Sequence, residues 1–480
     1  MGSTATAPGK EHRRRLVSLA YPVYFELLAG VTAGIISMVW VARLGGAAVA
    51  AVAVATNVEN LLLGVILMAG SGTTVLVARA RGARDPAAVR SAVRGGWALW
   101  ALITPVVAVG GYLCREPLAR LVLGGDEGDA YALTTGYFAI ALPGVAVYFA
   151  TNVVDGILKG AGDTRTPMRL ALLANGLILV LDPLFIFGLG LGVRGAAIAT
   201  VIGRAAALIC GFVALSRNAE LRRASVKRRP EPSVQPPAAR TGPALRRARQ
   251  LAADARGTMV TGLPMSADFV LRMAGALALV AVVARIGVGE VAAYGIATKA
   301  MYLATMAFYS VRQAAAIHTA HLLGAGSDER LAVGRQALRL AGALGLGAGL
   351  LLFAAAPWIM RAFGAEGEVA DAGTLYLRCL GPYLTLLACF IALGGVFEGS
   401  GGSPVLARIT GCGVAVQLGL AYALSSLGLP GVCLAMAVSM ALQCAAVGRL
   451  YRRTGRGPAA PVRRKRWASG VGVSRRGGEW

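Results

Sequence analysis

The chain has 480 residues, of which 56% are hydrophobic and 15% charged, a mean hydropathy of +0.64 and a net charge of +25. A soluble globular chain carries about 25% charged residues, so this one lacks the polar side chains to cover a water-facing surface, which argues against a soluble multidomain enzyme. Disorder is excluded by the same hydropathy, and the basic excess, which in a soluble protein would suggest nucleic acid, has first to be mapped against a membrane.

Twelve apolar segments follow one another: about 16–41, 49–78, 95–114, 130–158, 167–190, 195–216, 258–284, 291–323, 337–360, 369–397, 405–427 and 430–450. Each reaches the roughly 20 residues that cross about 30 Å of hydrocarbon at 1.5 Å per residue. Lys and Arg fall 37 in one alternate set of loops, with both termini, and 6 in the other. The positive-inside rule therefore puts both termini in the cytoplasm. The predicted class is an all-α integral membrane protein, and the Arg-, Ala- and Gly-rich composition points to a bacterial cell membrane. The basic loops are expected to meet anionic lipid headgroups, with no nucleic acid as partner. Residues 1–6 fit a myristoylation pattern, read as chance. The seven cysteines form no CxxC pair, so free, small buried thiols are expected and neither disulfide nor metal is called.

The chain repeats itself. An offset of 242 brings Pro22 onto Pro264, Val41-Ala42-Arg43-Leu44-Gly45 onto Val283-Ala284-Arg285-Ile286-Gly287, and Gly82-Ala83 onto Gly324-Ala325. Farther on, Gly160-Ala161-Gly162 resembles Gly399-Ser400-Gly401, and Gly195 resembles Gly431. Six spans were duplicated. Because six is even, the two pseudo-symmetric six-helix bundles share one orientation and are related by an axis along the membrane normal. The expected division is a tail over 1–15, a first lobe over 16–216, a cytoplasmic linker over 217–256, a second lobe over 257–451 and a basic tail over 452–480. The linker holds eleven Lys/Arg and five prolines, which reads as flexible chain. No soluble catalytic domain is present and no enzyme activity is called. A monomer is expected.

Charged side chains inside a span cost about 2.5–3.5 kcal/mol on insertion scales and need a reason. Asp182, in Leu181-Asp182-Pro183, sits well inside the fifth span, where Pro183 frees a carbonyl near position 179. Asn175 lies two turns earlier on the same face. Glu26 and Asp268 occupy equivalent positions four residues after Pro22 and Pro264. Asp268 has Arg272 one turn on; Glu26 has no local partner, which makes it the better candidate to exchange a proton. These three acids are the candidate cation-coupling residues. Asn57, Glu59, Asn152, Asp155, Asn175, Arg272 and Gln313 are candidates for substrate contact or gating. Arg312, Arg378 and Arg204 read as ion-pair partners or snorkelling ends. His318 and His321, without a carboxylate beside them, make a weak metal site.

These segments resemble the multidrug and toxic compound extrusion (MATE) transporters of the larger flippase superfamily. The resemblance is carried by Val41–Gly45 and its repeat, the Gly82-Ala83 loop, Gly160-Ala161-Gly162-Asp163-Thr164-Arg165-Thr166-Pro167 and Leu181-Asp182-Pro183-Leu184-Phe185-Ile186-Phe187-Gly188, and it covers about 16–450. It implies two lobes around a central cavity, no cofactor, and export of organic cations or drugs against H+ or Na+. Its fifth-helix acid maps onto Asp182. Its first-helix acid maps onto Ser37 and the Asn four residues before the fifth-helix acid onto Ile178, both departures. A C-lobe acid of some members falls on Arg272. Glu26, eleven residues from Ser37 on the same helix, is the expected replacement for the missing acid. The alternative is a flippase for a lipid-linked precursor, which would want Arg272, Arg312 and Arg378 unpaired and facing a central cavity.

Overall fold

Long apolar runs punctuated by Gly and Pro fold into helices joined by tight turns. The computed structural model of the protein describes residues 8–123, 128–217 and 243–454, and all regular structure among them is helical. The helices are α1 (Pro8–Ala42), α2 (Gly46–Gly82), α3 (Pro86–Leu113), the short α4 (Arg115–Val122), α5 (Asp129–Gly160), α6 (Arg165–Pro183) and α7 (Val193–Arg217) in the first half. The second half holds α8 (Pro243–Val283), α9 (Val288–Gly324), α10 (Arg330–Ala362), α11 (Gly367–Cys379), α12 (Gly381–Ser400), α13 (Ser403–Ala423) and α14 (Gly428–Thr454). Among the described residues, twelve helical segments are long and apolar enough to cross a membrane. The protein is a multi-pass membrane protein.

The turns follow from local chemistry. At the end of α5, Gly162 takes φ of 80°, a left-handed conformation that glycine adopts without steric cost. Asp163 then accepts the amides of Arg165 and Thr166 at 3.1 and 3.0 Å and opens α6. Gly401, at φ of 88°, ends α12 in the same way. Asp85 accepts from Ala87 and Ala88 and starts α3. Pro183 does not end its span: the chain passes into one π-helical stretch over Leu184–Gly188 before turning, the wider turn that commonly accommodates a disrupted ladder.

The duplication read from sequence is present as a duplicated packing scheme. In the first half α2 packs on α5, α3 on α5, α1 on α6 and α6 on α7; in the second, α9 packs on α12, α10 on α12, α8 on α13 and α13 on α14. The halves meet in symmetric pairs, α2 with α8 and α1 with α9, α3 with α8 and α1 with α10. Where α2 and α9 end, a Cβ on Gly82 would strike the carbonyl of His321, and one on Gly324 the carbonyl of Arg79. Position 79 and position 321 are themselves related by the offset of 242, so the contact is reciprocal, as a two-fold axis requires.

The linker is shorter than expected. Helix α8 begins at Pro243, so residues 243–256 are helical and project the seventh span beyond its apolar run. Likewise α1 starts at Pro8 and α14 continues to Thr454. The tenth span is broken at Leu380 between α11 and α12. The pattern at residues 1–6 and the basic run at Arg463, Arg464, Lys465 and Arg466 lie outside the described residues.

Candidate functional site

The side-chain contacts that join the halves among the described residues lie between mid-span and the basic end, where α1 starts and α2 finishes. His12 meets His318 at 3.1 Å and Glu329 at 2.8 Å. Asp254 takes Ser91 at 2.5 Å and Arg94 at 3.0 Å. Arg79 reaches the carbonyl of Gly399 at 3.5 Å, and Ser266 donates to the carbonyl of Gly64 near the middle. Close glycine contacts fill the same zone, with Gly72 against Thr258 and Gly262 against Met68. These contacts hold the halves together toward the basic end.

Within the first half, Asp182 has no exposed surface, and neither carboxylate oxygen has a hydrogen-bond partner among the described residues. Ser37 of α1 faces it, without reaching hydrogen-bond geometry at either oxygen. Tyr137 of α5 is within electrostatic reach of Asp182 and donates its hydroxyl to Glu59 of α2, Oη to Oε1 3.3 Å. Arg204 of α7 is within reach of Glu59 and Tyr137, with its guanidinium carbon 3.8 Å from the ring centre of Tyr148. The Tyr137–Glu59 hydrogen bond thus joins α5 to α2, with the Asp182 carboxylate and the Arg204 guanidinium within electrostatic range of the phenol. Asn57, two residues before Glu59, is exposed, and Asn175 is half-buried.

Glu26 is placed elsewhere. It forms an ion pair with Lys159 of α5 at 2.6 Å, and Asp155, one turn before Lys159, faces the same pair. Glu26 has no local partner on α1, but it has one that lies 133 positions away in sequence. Eleven residues of helix separate it from Ser37, or about 16 Å, so it does not join Asp182. Asn152 spends its amide on the carbonyl of Tyr148 at 3.1 Å.

In the second half Asp268 is held on every side. Arg272 pairs with it, Arg312 reaches it at 2.7 Å, and Thr410 donates to it at 2.5 Å. Arg312 also grips Glu398 at 2.6 Å. Two carboxylates and two guanidiniums form a closed, neutral network. Arg378 lies over the ring of Phe353, and Gln313 is half-buried beside this network on α9. With Arg272 and Arg312 both committed to Asp268, the free basic cavity that a lipid-pyrophosphate flippase would want is not formed by them.

Tyr137, Glu398 and Thr410 were missed in the sequence, and Lys159 was read only as a neighbour of Asp155, not of Glu26. Tyr137 and Thr410 sit in apolar runs with no periodic signal, and Glu398 and Lys159 read as span ends. His12 was also missed; it supplies the contact to His318 from the opposite half.

The sequence profile of the MatE family matches residues 22–184 and 264–423, one stretch in each half. The chain is 26% identical over 401 residues to "Probable multidrug resistance protein NorM" of Thermotoga maritima, covering 82% of this chain and 81% of that protein. It is 26% identical over 217 residues to the FAD transporter of Shewanella oneidensis, covering 44% and 48% of the two. Among solved structures, the outward-facing conformation of a multidrug resistance MATE family transporter superimposes with a TM-score of 0.81 at 23% identity, covering 94% of this chain and 98% of that one. A MOP superfamily transporter from Pyrococcus furiosus, described as having a binding pocket of reverse polarity, gives 0.78 at 23% identity over the same shares. With two matched stretches spanning more than half its length and the duplicated twelve-span architecture in place, the chain belongs to the MatE family and is a secondary transporter of small molecules, not an enzyme.

Proposed function

We propose that the protein exports amphipathic, cationic small molecules from the cytoplasm in exchange for protons, by alternating access between its two halves. The single observation that carries this reading is Asp182, an acid enclosed in a membrane-spanning bundle with both oxygens unpartnered. A buried carboxylate without a partner is costly. It can be made neutral by a proton or balanced by a cation. Binding one excludes the other, and that competition is the thermodynamic core of antiport. Sodium would be the alternative ion.

The direction follows from charge. The basic end, where contacts such as His12 with His318 join the halves, is the cytoplasmic end by the positive-inside rule, which supports reading this conformation as outward-facing. An outward-facing Asp182 takes a proton and releases cargo. After the halves rock about the seam, the acid gives up the proton to the cytoplasm and accepts a new cation. The halves are built for such rocking, because their contacts lie on one side of the midplane.

The test is efflux of the fluorescent cation ethidium in everted vesicles, with a pH gradient compared with a sodium gradient. Transport is expected with the pH gradient alone and lost in Asp182→Asn. Full activity of Asp182→Asn would overturn the reading, and activity driven only by sodium would replace the proton.

A further inference from the structure

We propose that His12 and His318 form a pH-sensitive latch between the two halves at their basic end, closed when the pair carries one extra proton and released when it carries two. The latch goes beyond the exchange reaction proposed above and takes from that reading only the rocking of the halves.

Two arms cross between the halves at this end. The start of α1 reaches Glu329, which precedes α10, and the start of α8 reaches Ser91 and Arg94 of α3. His12 and Asp254, the residues that make these contacts, are equivalent by the offset of 242. Their partners differ in kind. Asp254 holds Ser91 at 2.5 Å and Arg94 at 3.0 Å, a contact without a histidine. His12 is buried, with its Nδ1 3.1 Å from Nε2 of His318 on α9 and its Nε2 2.8 Å from a carboxylate oxygen of Glu329. The two imidazole rings have their centres 5.3 Å apart, tilted by 58°.

Two ring nitrogens at hydrogen-bond distance have room for one hydrogen between them. Glu329 favours a proton on the Nε2 of His12, so His12 carries a hydrogen on each nitrogen while His318 presents a bare Nε2 to it. A second proton, on His318, points two N–H groups and two positive charges at each other. The neighbouring cations add to that repulsion. Arg15 of α1, Arg81 of α2 and His321 of α9 line a small cavity with His318, and no Asp or Glu among the described residues lines it. The carboxylate beside the pair is that of Glu329, whose side chain is 42% exposed, so solvent screens its pull on a second imidazolium. Histidine changes charge between about pH 5 and 8. A closed form that excludes a proton which the open form accepts loses stability as pH falls. Acid at the basic end therefore frees the halves to part there. The latch reads the pH of the cytoplasm, separately from the acid that exchanges the proton.

The test is the distance between spin labels on Arg43 and Arg285, equivalent exposed positions at the opposite end of the halves. The chain is held in nanodiscs, lacks its seven native cysteines and carries Asp182→Asn, so that the coupling acid does not titrate. Opening at the basic end brings the labels closer. From about pH 8 to about pH 5 the ratio of short to long distance should rise, by up to about tenfold per pH unit for one linked proton. His318→Gln, whose amide does not titrate, should flatten the rise, and so should the shorter His318→Asn. Asp254→Asn, in the arm without a histidine, should keep it. Three outcomes overturn the latch: no rise with acid in the Asp182→Asn parent, an unaltered rise in either folded His318 variant, or a rise abolished equally by Asp254→Asn. If Gly82→Ala also leaves the labels unmoved at every pH, the rocking of the halves fails as well, and with it the alternating-access reading.

Discussion

Adding one methyl group at the seam should move the whole transporter. In Gly82→Ala the new Cβ meets the carbonyl of His321, and in Gly324→Ala that of Arg79. Both obstacles are backbone, so no side-chain rotation relieves them and the helices must separate. Overpacking of this kind costs about 1–3 kcal/mol, and a backbone obstacle belongs in the upper part of that range. Neither glycine has a positive φ, so Ala fits the backbone at both helix ends and the helices themselves do not suffer. The cost falls on the conformation closed at the basic end, because α2 and α9 part there when the halves rock. At about 1.4 kcal/mol per tenfold, 2–3 kcal/mol shifts the population about 30- to 150-fold toward the opposite conformation. Spin labels on Arg43 and Arg285, equivalent exposed positions at the far end of the halves, would report it as a shorter inter-label distance, in a background lacking the seven native cysteines. Since the contact is reciprocal, the two substitutions should shift the distribution alike, while Gly30→Ala, with open space around it, should do nothing. An unchanged distribution in either seam variant, folded as the wild type, would refute the argument.

Other perturbations separate structural from coupling charges. Arg312→Met strands Glu398 without its cation and leaves Asp268 with Arg272 alone; breaking such a buried pair is expected to cost about 3–5 kcal/mol, read as a lower unfolding temperature in detergent. The neutral triple variant Asp268→Asn, Arg312→Met, Glu398→Gln should recover most of that loss. Lys159→Met should be similarly unstable, whereas Glu26→Gln should lower stability yet leave the proton dependence of efflux intact. Asp254→Asn weakens the seam contact to Arg94, whose side chain is 44% exposed; such a pair is worth about 1 kcal/mol or less, so the distance distribution should move by less than about fivefold in population.

The spans were legible because crossing hydrocarbon demands length and apolarity, and the repeat because its register holds through Gly82 and Gly324. The start of α8 was not: residues 243–256 are basic and polar, and helix that stands outside the membrane carries no apolar run to mark it. Asp182 was legible from the cost of its own charge. Its surroundings were not, since Tyr137 and Glu59 meet across 78 residues and Glu26 and Lys159 across 133. The family resemblance singled out Ser37 on α1, and it does face Asp182. The pairing of Glu26 with Lys159 was not legible, because the identity of a partner is decided between helices.

The two halves share a scaffold but treat their acids in opposite ways. Glu26 and Asp268 are equivalent by the offset of 242, and each is neutralised by a cation from a neighbouring helix, Lys159 in one half and Arg312 in the other. Both acids are thus neutralised in place, although by cations on non-equivalent helices, Lys159 joining α1 to α5 and Arg312 joining α8 to α9. The asymmetry appears one element later. Helix α6 carries Asp182, while its counterpart α13 contains no Asp or Glu. A charge that the frame required would have been needed twice. An acid kept in one half alone, enclosed and without a hydrogen-bond partner, is a cost the fold does not need, and it lies where a proton entering from the open end could relieve it. By this argument the first half binds the ion, and the second is a permanently neutral body against which it rocks. Neutralising the Asp268 network as a whole should then spare proton coupling. Proton-driven ethidium efflux by the neutral triple variant, measured at a temperature where it stays folded, checks this. Loss of the pH dependence there, with Asp182 intact, would show that the second half also carries coupling charge.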